Sequence, residues 1–147
     1  MTPKLQVKFL REGATAPTVA HPGEDLGYDI FAAENVLFAP RAAAIVPTAI
    51  SVEVTDASGR AMGALLRDKS SLAARRLIVT AGVIDAGYRG EIKVVMENLS
   101  DQPQEIHAGD KIANLIPYPV LTGTVEVVEE LAESRRMAGG FGSTGRK

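Results

Sequence analysis

The sequence predicts a single all-β domain, built as a sandwich or a barrel. Strand-sized runs rich in β-branched and aromatic residues recur at a spacing of roughly 8–12 residues, and Gly and Pro separate them. The chain has 147 residues, a length that suits one domain. We find no internal repeat. The stretch 70–76, SSLAARR, departs from the strand pattern and favours a short helix.

The predicted strands follow one another in chain order, with turn signals between them. Val7 and Phe9 alternate with Lys8 in the first strand, and Pro40 and Pro47 separate later ones. The last strand is predicted from Val residues that alternate with a Glu. These strands are 7–9, 28–31, 36–38, 43–46, 50–54, 77–85, 104–106, 111–119 and 124–128.

The segment 82–92, GVIDAGYRGEI, is interpreted as a β-hairpin. β-branched runs flank it, and Gly87 and Gly90 are expected to supply the positive φ that a tight turn needs. This places the carboxylate of Asp85 and the phenol of Tyr88 close together. Taken alone, the segment fits an ordinary hairpin with a turn-capping Asp.

The chain changes character near its end. We predict a β domain over 1–132 and a flexible tail over 133–147, because ESRRMAGGFGSTGRK is rich in Gly and lacks apolar periodicity. Phe141 has no core to join in such a tail. It is either idle or stacks on a planar partner, and stacking on a base contributes about 1–3 kcal/mol.

Composition excludes several classes of function. The net charge of −2 does not favour a nucleic-acid or membrane-surface partner. The absence of Cys removes thiol chemistry and disulfides, and two His make a histidine metal site improbable. No apolar run approaches membrane-spanning length, and the N-terminus does not resemble a signal peptide. We therefore expect a cytoplasmic protein.

Two features could carry chemistry. Lys69 precedes the hydroxyls of Ser70 and Ser71 at a possible helix start, an arrangement that suits an anion. The alternative is a Ser N-cap beside a solvated Lys. Asp29 and Asp85 each stand between apolar residues, where an unpaired buried carboxylate would be costly. Each is therefore bonded, exposed at a strand end, or functional.

Five short segments stand in order along the chain and span nearly all of it. Together they resemble the motifs of the trimeric deoxyuridine triphosphate nucleotidohydrolases, the dUTPase family. The resemblance implies a jelly-roll subunit and a homotrimer with active sites at the subunit interfaces. It also implies Mg²⁺-dependent hydrolysis of dUTP to dUMP and pyrophosphate. The segments are LGYDIFAA (26–33), DKSSLA (68–73), GVIDAGYRGEI (82–92), GDKIANLI (109–116) and RMAGGFGSTG (136–145).

The resemblance also implies roles for individual residues. Asp85 would orient and deprotonate the water that attacks the α-phosphorus. Tyr88 would pack under the deoxyribose and leave no room for a 2′-hydroxyl. Asp29 would contact Mg²⁺ through water, since Mg²⁺ retains much of its hydration. The backbone that would read the uracil edge belongs to Gly82, Val83, Ile84 and Lys93.

Other residues would bind the remaining parts of the nucleotide. Phe141 from the tail would cover the uracil ring. The phosphates would contact residues of the β domain and residues of the tail. In the β domain these are Lys69, Ser70, Ser71 and Asn114, and in the tail they are Arg136, Gly142, Ser143 and Thr144.

The chain departs from the family pattern at two of these positions and at one other residue of the tail. Lys69 stands where the family usually has Arg, so a point charge replaces a bidentate fork. Asn114 replaces the usual Gln and is one methylene shorter, and Met137 replaces a Gly in the tail. Two alternatives remain: a dCTP deaminase of the same fold and a non-catalytic nucleotide-binding protein. Val95 stands where the deaminases carry a catalytic Glu, and retention of Asp85 argues against pure binding.

Overall fold

The computed structural model describes residues 2–145. Eleven β-strands and one short α-helix lie within this range. The strands are β1 (Lys4–Phe9), β2 (Tyr28–Phe31), β3 (Val36–Phe38), β4 (Ala43–Pro47), β5 (Ile50–Thr55), β6 (Ala61–Asp68), β7 (Leu77–Thr80), β8 (Val83–Ile84), β9 (Lys93–Asn98), β10 (Gln104–Ile106) and β11 (Lys111–Pro119). The helix, α1, spans Ser70–Ala74.

The strands form three antiparallel sheets. The largest has the order β1-β5-β6-β11-β2, with β8 paired to β6. A second sheet has the order β4-β9-β7, and β10 pairs with β3 in a third. The all-β, jelly-roll-like class predicted from the sequence is confirmed. No helix among residues 2–145 is long and apolar enough to cross a membrane.

The core lies between the sheets. In β9, Val94, Met96 and Asn98 are buried while the residues between them are less so, as expected for a half-buried strand. The amide of Asn98 donates to the carbonyls of Ala39 and Gln102, which satisfies this buried polar side chain. The largest fully buried apolar side chains are Phe38, Ile30, Ile50, Leu77, Ile92, Met96, Ile106, Ile112, Leu115, Val46 and Val94.

The predicted hairpin over 82–92 is wrong. β8 pairs with β6 in the large sheet, whereas β9 pairs with β4 and β7 in another. The predicted strand 77–85 is also wrong as a single element, because Ala81 (φ 57°) and Gly82 (φ 99°) divide it into β7 and β8. Positive φ falls on Gly82 and not on Gly87 or Gly90. A Cβ at Gly82 would lie 2.8 Å from the Leu66 carbonyl oxygen, so the turn requires Gly there.

The sequence analysis fails for two further segments: it misses one strand and predicts one that does not form. β6 was missed altogether, although it pairs with β5, β8 and β11 and lies at the centre of the large sheet. The segment 124–128 forms no strand, and its side chains Val125 and Val127 are 92% and 94% exposed. A strand needs a partner edge and a buried face, and among residues 2–145 the segment has neither.

Candidate active site

A first cavity lies beside the turn that follows β8. Its volume is about 230 Å³, and Glu91 and Val95 contribute to its wall. Apart from Phe141 in the tail, the residues that the sequence assigned to the water, the sugar and the base lie on this wall. They are Gly82, Val83, Ile84, Asp85, Tyr88 and Lys93.

Asp85 follows β8 directly and lies on the exposed side of this cavity. Its backbone carbonyl accepts a hydrogen bond of 3.0 Å from the Tyr88 N–H, which closes the turn. The carboxylate thus stands at the end of a strand that β6 holds in place. Water can reach it there, because the side chain is not enclosed by the core.

Tyr88 folds back along the turn. Its hydroxyl donates to the Glu91 carbonyl at 2.9 Å. A Cβ at Gly90 would lie 2.4–2.9 Å from three atoms of the Tyr88 side chain, whereas one at Gly87 would meet nothing within 4 Å. Gly90 therefore serves to make room for the phenol ring, and positive φ is not its purpose.

A second cavity of about 510 Å³ lies where β2 and β11 meet the start of α1. Asp29 and Asn114 face each other in the β2–β11 register. The Nζ atom of Lys69 lies 2.6 Å from Oδ1 of Asp29, and the Nζ atom of Lys111 lies 3.0 Å from Oδ2. All four side chains line the cavity, and Asp25 and His21 lie on the same wall, so it combines two carboxylates, two ammonium groups, one amide and one imidazole.

The pKa of Asp29 lies below its usual value. Burial acts to raise this pKa, since the side chain is only 10% exposed, but hydrogen bonds and charge from Lys69 and Lys111 outweigh burial. Asp29 is therefore ionised over the neutral range. The sequence pattern left open whether this Asp is bonded, exposed or functional; within residues 2–145 it is bonded.

Lys111 was missed by sequence reasoning. It lies within the segment GDKIANLI, but the sequence pattern assigns no role to it. The one available signal was its position at the start of a strand whose register with β2 was unknown. The shift in register between Lys111 and Ala113 is a tertiary detail that a single sequence does not reveal.

The start of α1 differs in detail from the sequence expectation. The N-cap is Lys69, which makes no side-chain capping hydrogen bond, so the alternative of a Ser N-cap is not observed. Ser70 and Ser71 are exposed in the first turn. They directly follow Lys69 in the chain.

The tail residues lie apart from both cavities. Hydrogen bonds join Arg136 to Gly139 and the Ser143 N–H to the Gly140 carbonyl, all within the tail. Phe141 is fully exposed. The structure therefore does not bring the tail residues to the first or second cavity. These residues are Arg136, Phe141, Gly142, Ser143 and Thr144.

The two cavities have no wall residue in common. Asp85 and Tyr88 belong to one, and Asp29, Lys69 and Asn114 belong to the other. The residues that the sequence assigned to one site thus lie on two separate surfaces of the chain. Metal-ligating side chains are also sparse, since residues 2–145 contain no group of three or more His, Asp or Glu that could hold an ion.

An all-β domain with an accessible carboxylate beside a phenol, and lysines around a second acidic group, fits the class of nucleotide phosphohydrolases that act through bound water. The comparisons agree with this class. A family model described as dUTPase matches residues 13–145. The chain belongs to the dUTPase family.

Individual relatives and structures support this membership. The deoxyuridine 5'-triphosphate nucleotidohydrolase of Clostridium tetani is 37% identical over 145 residues, which cover 97% of each chain. The dUTPase of Staphylococcus bacteriophage 80alpha, solved with dUPNHPP, is 30% identical and has a TM-score of 0.87 over 97% of this chain and 99% of that one. A mutant dUTPase from phage phi11 of S. aureus, described with a structural Mg(II) ion, is 28% identical with a TM-score of 0.78, covering 88% and 99%.

Proposed function

We propose that this chain hydrolyses dUTP to dUMP and pyrophosphate, through attack of water on the α-phosphorus. The observation that carries the proposal is the dUTPase match over residues 13–145, together with Asp85 and Tyr88 on one cavity wall. The reaction removes dUTP before it can be incorporated into DNA and supplies dUMP for dTMP synthesis.

Asp85 is the residue that orients the attacking water and accepts its proton. A general base must be accessible and lie within hydrogen-bond reach of the water, and Asp85 meets the first condition at the end of β8. Phosphoryl transfer depends mainly on positioning and on neutralising charge. One correctly held carboxylate is therefore sufficient on the water side of the reaction.

Selectivity for a uracil deoxynucleotide follows from the same cavity. Tyr88 packs under the deoxyribose and excludes a 2′-hydroxyl. The backbone of 82–84 and Lys93 reads the uracil edge. Val95 lines the cavity as an apolar residue, so the position of the deaminase carboxylate is occupied by a side chain that cannot transfer protons. Deamination of dCTP is accordingly not the reaction we propose.

Magnesium fits the second cavity only as an ion that arrives with the triphosphate. Both oxygens of Asp29 contact lysines, and the other carboxylate of the cavity, Asp25, accepts a hydrogen bond from the His21 N–H. Such a donor set suits an outer contact through water, and Mg²⁺ prefers oxygen ligands and keeps several waters. When bound, the ion would neutralise phosphate charge and fix the chain of phosphates. Asp29 would hold its hydration shell from one side.

The phosphates bind to the cationic and amide groups around Asp29. Lys69 and Asn114 lie on the cavity wall, and the exposed hydroxyls of Ser70 and Ser71 stand beside them. From the tail, Phe141 covers the base. The outer phosphates contact tail residues Arg136, Gly142, Ser143 and Thr144. The tail, residues 133–147, thus acts as a lid that excludes bulk water from the site once substrate is bound.

We propose a homotrimer, as the resemblance to the family implies, and the division of the site residues between two separate surfaces supports assembly from more than one chain. A second copy that brings its Asp29 cavity to the Asp85 cavity of the first would complete the site. Exposed apolar side chains after β11 support an association between copies, since Leu121, Val125, Val127 and Leu131 are 81–94% exposed. The segment 124–128 then gains on a neighbouring copy the strand partner that it lacks here. We place this trimer in the cytoplasm.

The test is pyrophosphate release from dUTP, UTP, dTTP and dCTP, each with Mg²⁺ and with EDTA, on protein whose mass is measured by light scattering. We expect release from dUTP alone, strong loss with EDTA, and the mass of three chains. Equal release from UTP would contradict the role of Tyr88. Full activity in EDTA, or in a monomer, would contradict the metal and trimer proposals respectively.

A further inference from the structure

The side chain of Arg89 lies against the outside of the turn that carries Asp85 and Tyr88. Its Nη1 donates to the Ala86 carbonyl at 2.8 Å and to the Tyr88 carbonyl at 3.2 Å. Its Nη2 lies 3.1 Å from Oε1 of Glu53. One guanidinium therefore joins the turn to β5, a strand of the large sheet.

These contacts use what is particular to Arg. A guanidinium is planar and carries five N–H donors in fixed directions, so it can hold two carbonyls and a carboxylate at the same time. The Ala86 carbonyl belongs to the residue after Asp85, and the Tyr88 carbonyl belongs to the stacking residue itself. Fixing both carbonyls fixes the peptide planes next to the two functional side chains.

The turn is held from its other side as well. Oε1 of Glu91 lies 2.8 Å from Nη1 of Arg11 and accepts a hydrogen bond of 2.8 Å from the Ala49 N–H. The Glu91 side chain is 13% exposed, whereas those of Arg89 and Glu53 are 51% and 43% exposed. Exposed ion pairs add little to the free energy of unfolding. The Arg89–Glu53 contact is therefore suited to setting the position of the turn and contributes little to global stability.

We propose that Arg89, held in place by Glu53, is a positioning residue for Asp85 and Tyr88. In this role Arg89 contacts neither the attacking water nor the nucleotide. It acts by fixing the positions of the Asp85 carboxylate and the Tyr88 phenol. Small displacements of a reacting group lower the rate steeply, by up to about a hundredfold for 1 Å. This inference rests on the proposed function of Asp85.

The experiment measures kcat and KM for dUTP, together with the thermal midpoint, in Arg89→Met, Glu53→Gln, the double variant and Arg89→Lys. Arg41→Met is the matched control, because Arg41 forms a similarly exposed ion pair with Asp101 at 2.8 Å, remote from the turn. We expect kcat to fall about tenfold or more in Arg89→Met with a smaller change in KM. The kcat of Glu53→Gln should fall less than that of Arg89→Met. The double variant should have the same kcat as Arg89→Met, because Glu53 acts through Arg89. Arg89→Lys recovers part of kcat.

The outcomes separate this inference from the proposed function. Wild-type kcat in Arg89→Met and Glu53→Gln, or losses that multiply in the double variant, would overturn it. A lowered thermal midpoint that Arg89→Lys does not restore, with kcat per folded trimer unchanged, would also overturn it. If Arg89→Met does not fold, the kcat of Glu53→Gln decides alone: a reduced value supports positioning and a wild-type value refutes it. An inactive wild-type chain would contradict the proposed function and this inference together.

Discussion

Lys69 and Asp29 form an ion pair with 2.6 Å between Nζ and Oδ1, although they stand 40 residues apart in the sequence. Lys69 is the residue that we assign to phosphate, and Asp29 is the one that we assign to hydrated Mg²⁺. The two charges offset each other, and Lys111 contacts the second carboxylate oxygen. Substrate binding must therefore redistribute these contacts among phosphate, metal and carboxylate.

The first prediction concerns the pKa of Asp29. Because this pKa is lowered in the folded state from its usual value of 3.8, the group contributes stability above that pH and loses it as pH falls through the folded-state pKa. Lys111→Met removes one of the two cations and should raise the Asp29 pKa and weaken acid stability. The measurement is a carbon-13 NMR titration of the carboxyl groups, with the exposed Lys4→Met as control. An unchanged Asp29 pKa in Lys111→Met would show that Lys111 does not help to lower it.

The second prediction compares Lys69→Met with Lys69→Arg. Loss of the ammonium should raise KM for dUTP by about tenfold or more, since a hydrogen bond to a charged group contributes roughly 1.5–3 kcal/mol. Arg restores the residue that the family usually has, and its fork can contact Asp29 and a phosphate together. Lys69→Arg should therefore keep or lower KM. The measurement is steady-state kinetics with dUTP at saturating Mg²⁺. Equal KM values in Lys69→Met and wild type would contradict the assignment of Lys69 to the phosphate site.

The third prediction tests the space that Gly90 leaves for the Tyr88 ring. A Cβ at position 90 would overlap Tyr88, so Gly90→Ala should displace the phenol, lower kcat/KM for dUTP and weaken discrimination against UTP. Gly87→Ala is the control, because a Cβ there meets nothing within 4 Å. The ratio of kcat/KM values for dUTP and UTP is the readout. If both variants behave alike, the ring position does not depend on Gly90.

The fourth prediction concerns the tail. Deletion of 136–147 should leave a folded trimer with severely reduced hydrolysis, because the described tail residues make their hydrogen bonds among themselves and would act only on bound substrate. Phe141→Ala should raise KM by roughly 5- to 150-fold, the equivalent of about 1–3 kcal/mol of stacking. Phe141→Tyr retains the ring and serves as control. Normal turnover in the truncated protein would reject the lid.

Much of the fold was predictable because most strands carry β-branched or aromatic residues. The exception is instructive: β6, AMGALLRD, contains no β-branched or aromatic residue, so local propensity gave no signal for it. Its strand state comes from pairing with β11 along its whole length, at a sequence distance that no local pattern spans. The hairpin interpretation of 82–92 failed for the same reason. Two adjacent runs can each be strands and still belong to different sheets, since partner choice is tertiary.

The site divided along similar lines. The residues assigned to the site between Gly82 and Lys93 are close in sequence, were expected together and do share a cavity. The contact of Lys111 with Asp29 was not foreseen, because it depends on a β2–β11 register with a shift in it. The segment 124–128 has the alternation of a strand but no partner within the chain. The sequence pattern indicates which face of a strand is buried. It does not identify the strand with which that strand pairs.

The role of Asp85 is tested most directly by Asp85→Asn, which keeps the size of the side chain and removes its basicity. We measure pyrophosphate release from dUTP alongside the dissociation constant of a non-hydrolysable dUTP analogue. We expect kcat to fall by about 10²–10⁴, the usual contribution of a general base, with analogue affinity nearly unchanged. A variant that keeps the wild-type kcat would contradict the assignment of Asp85 as the residue that activates water.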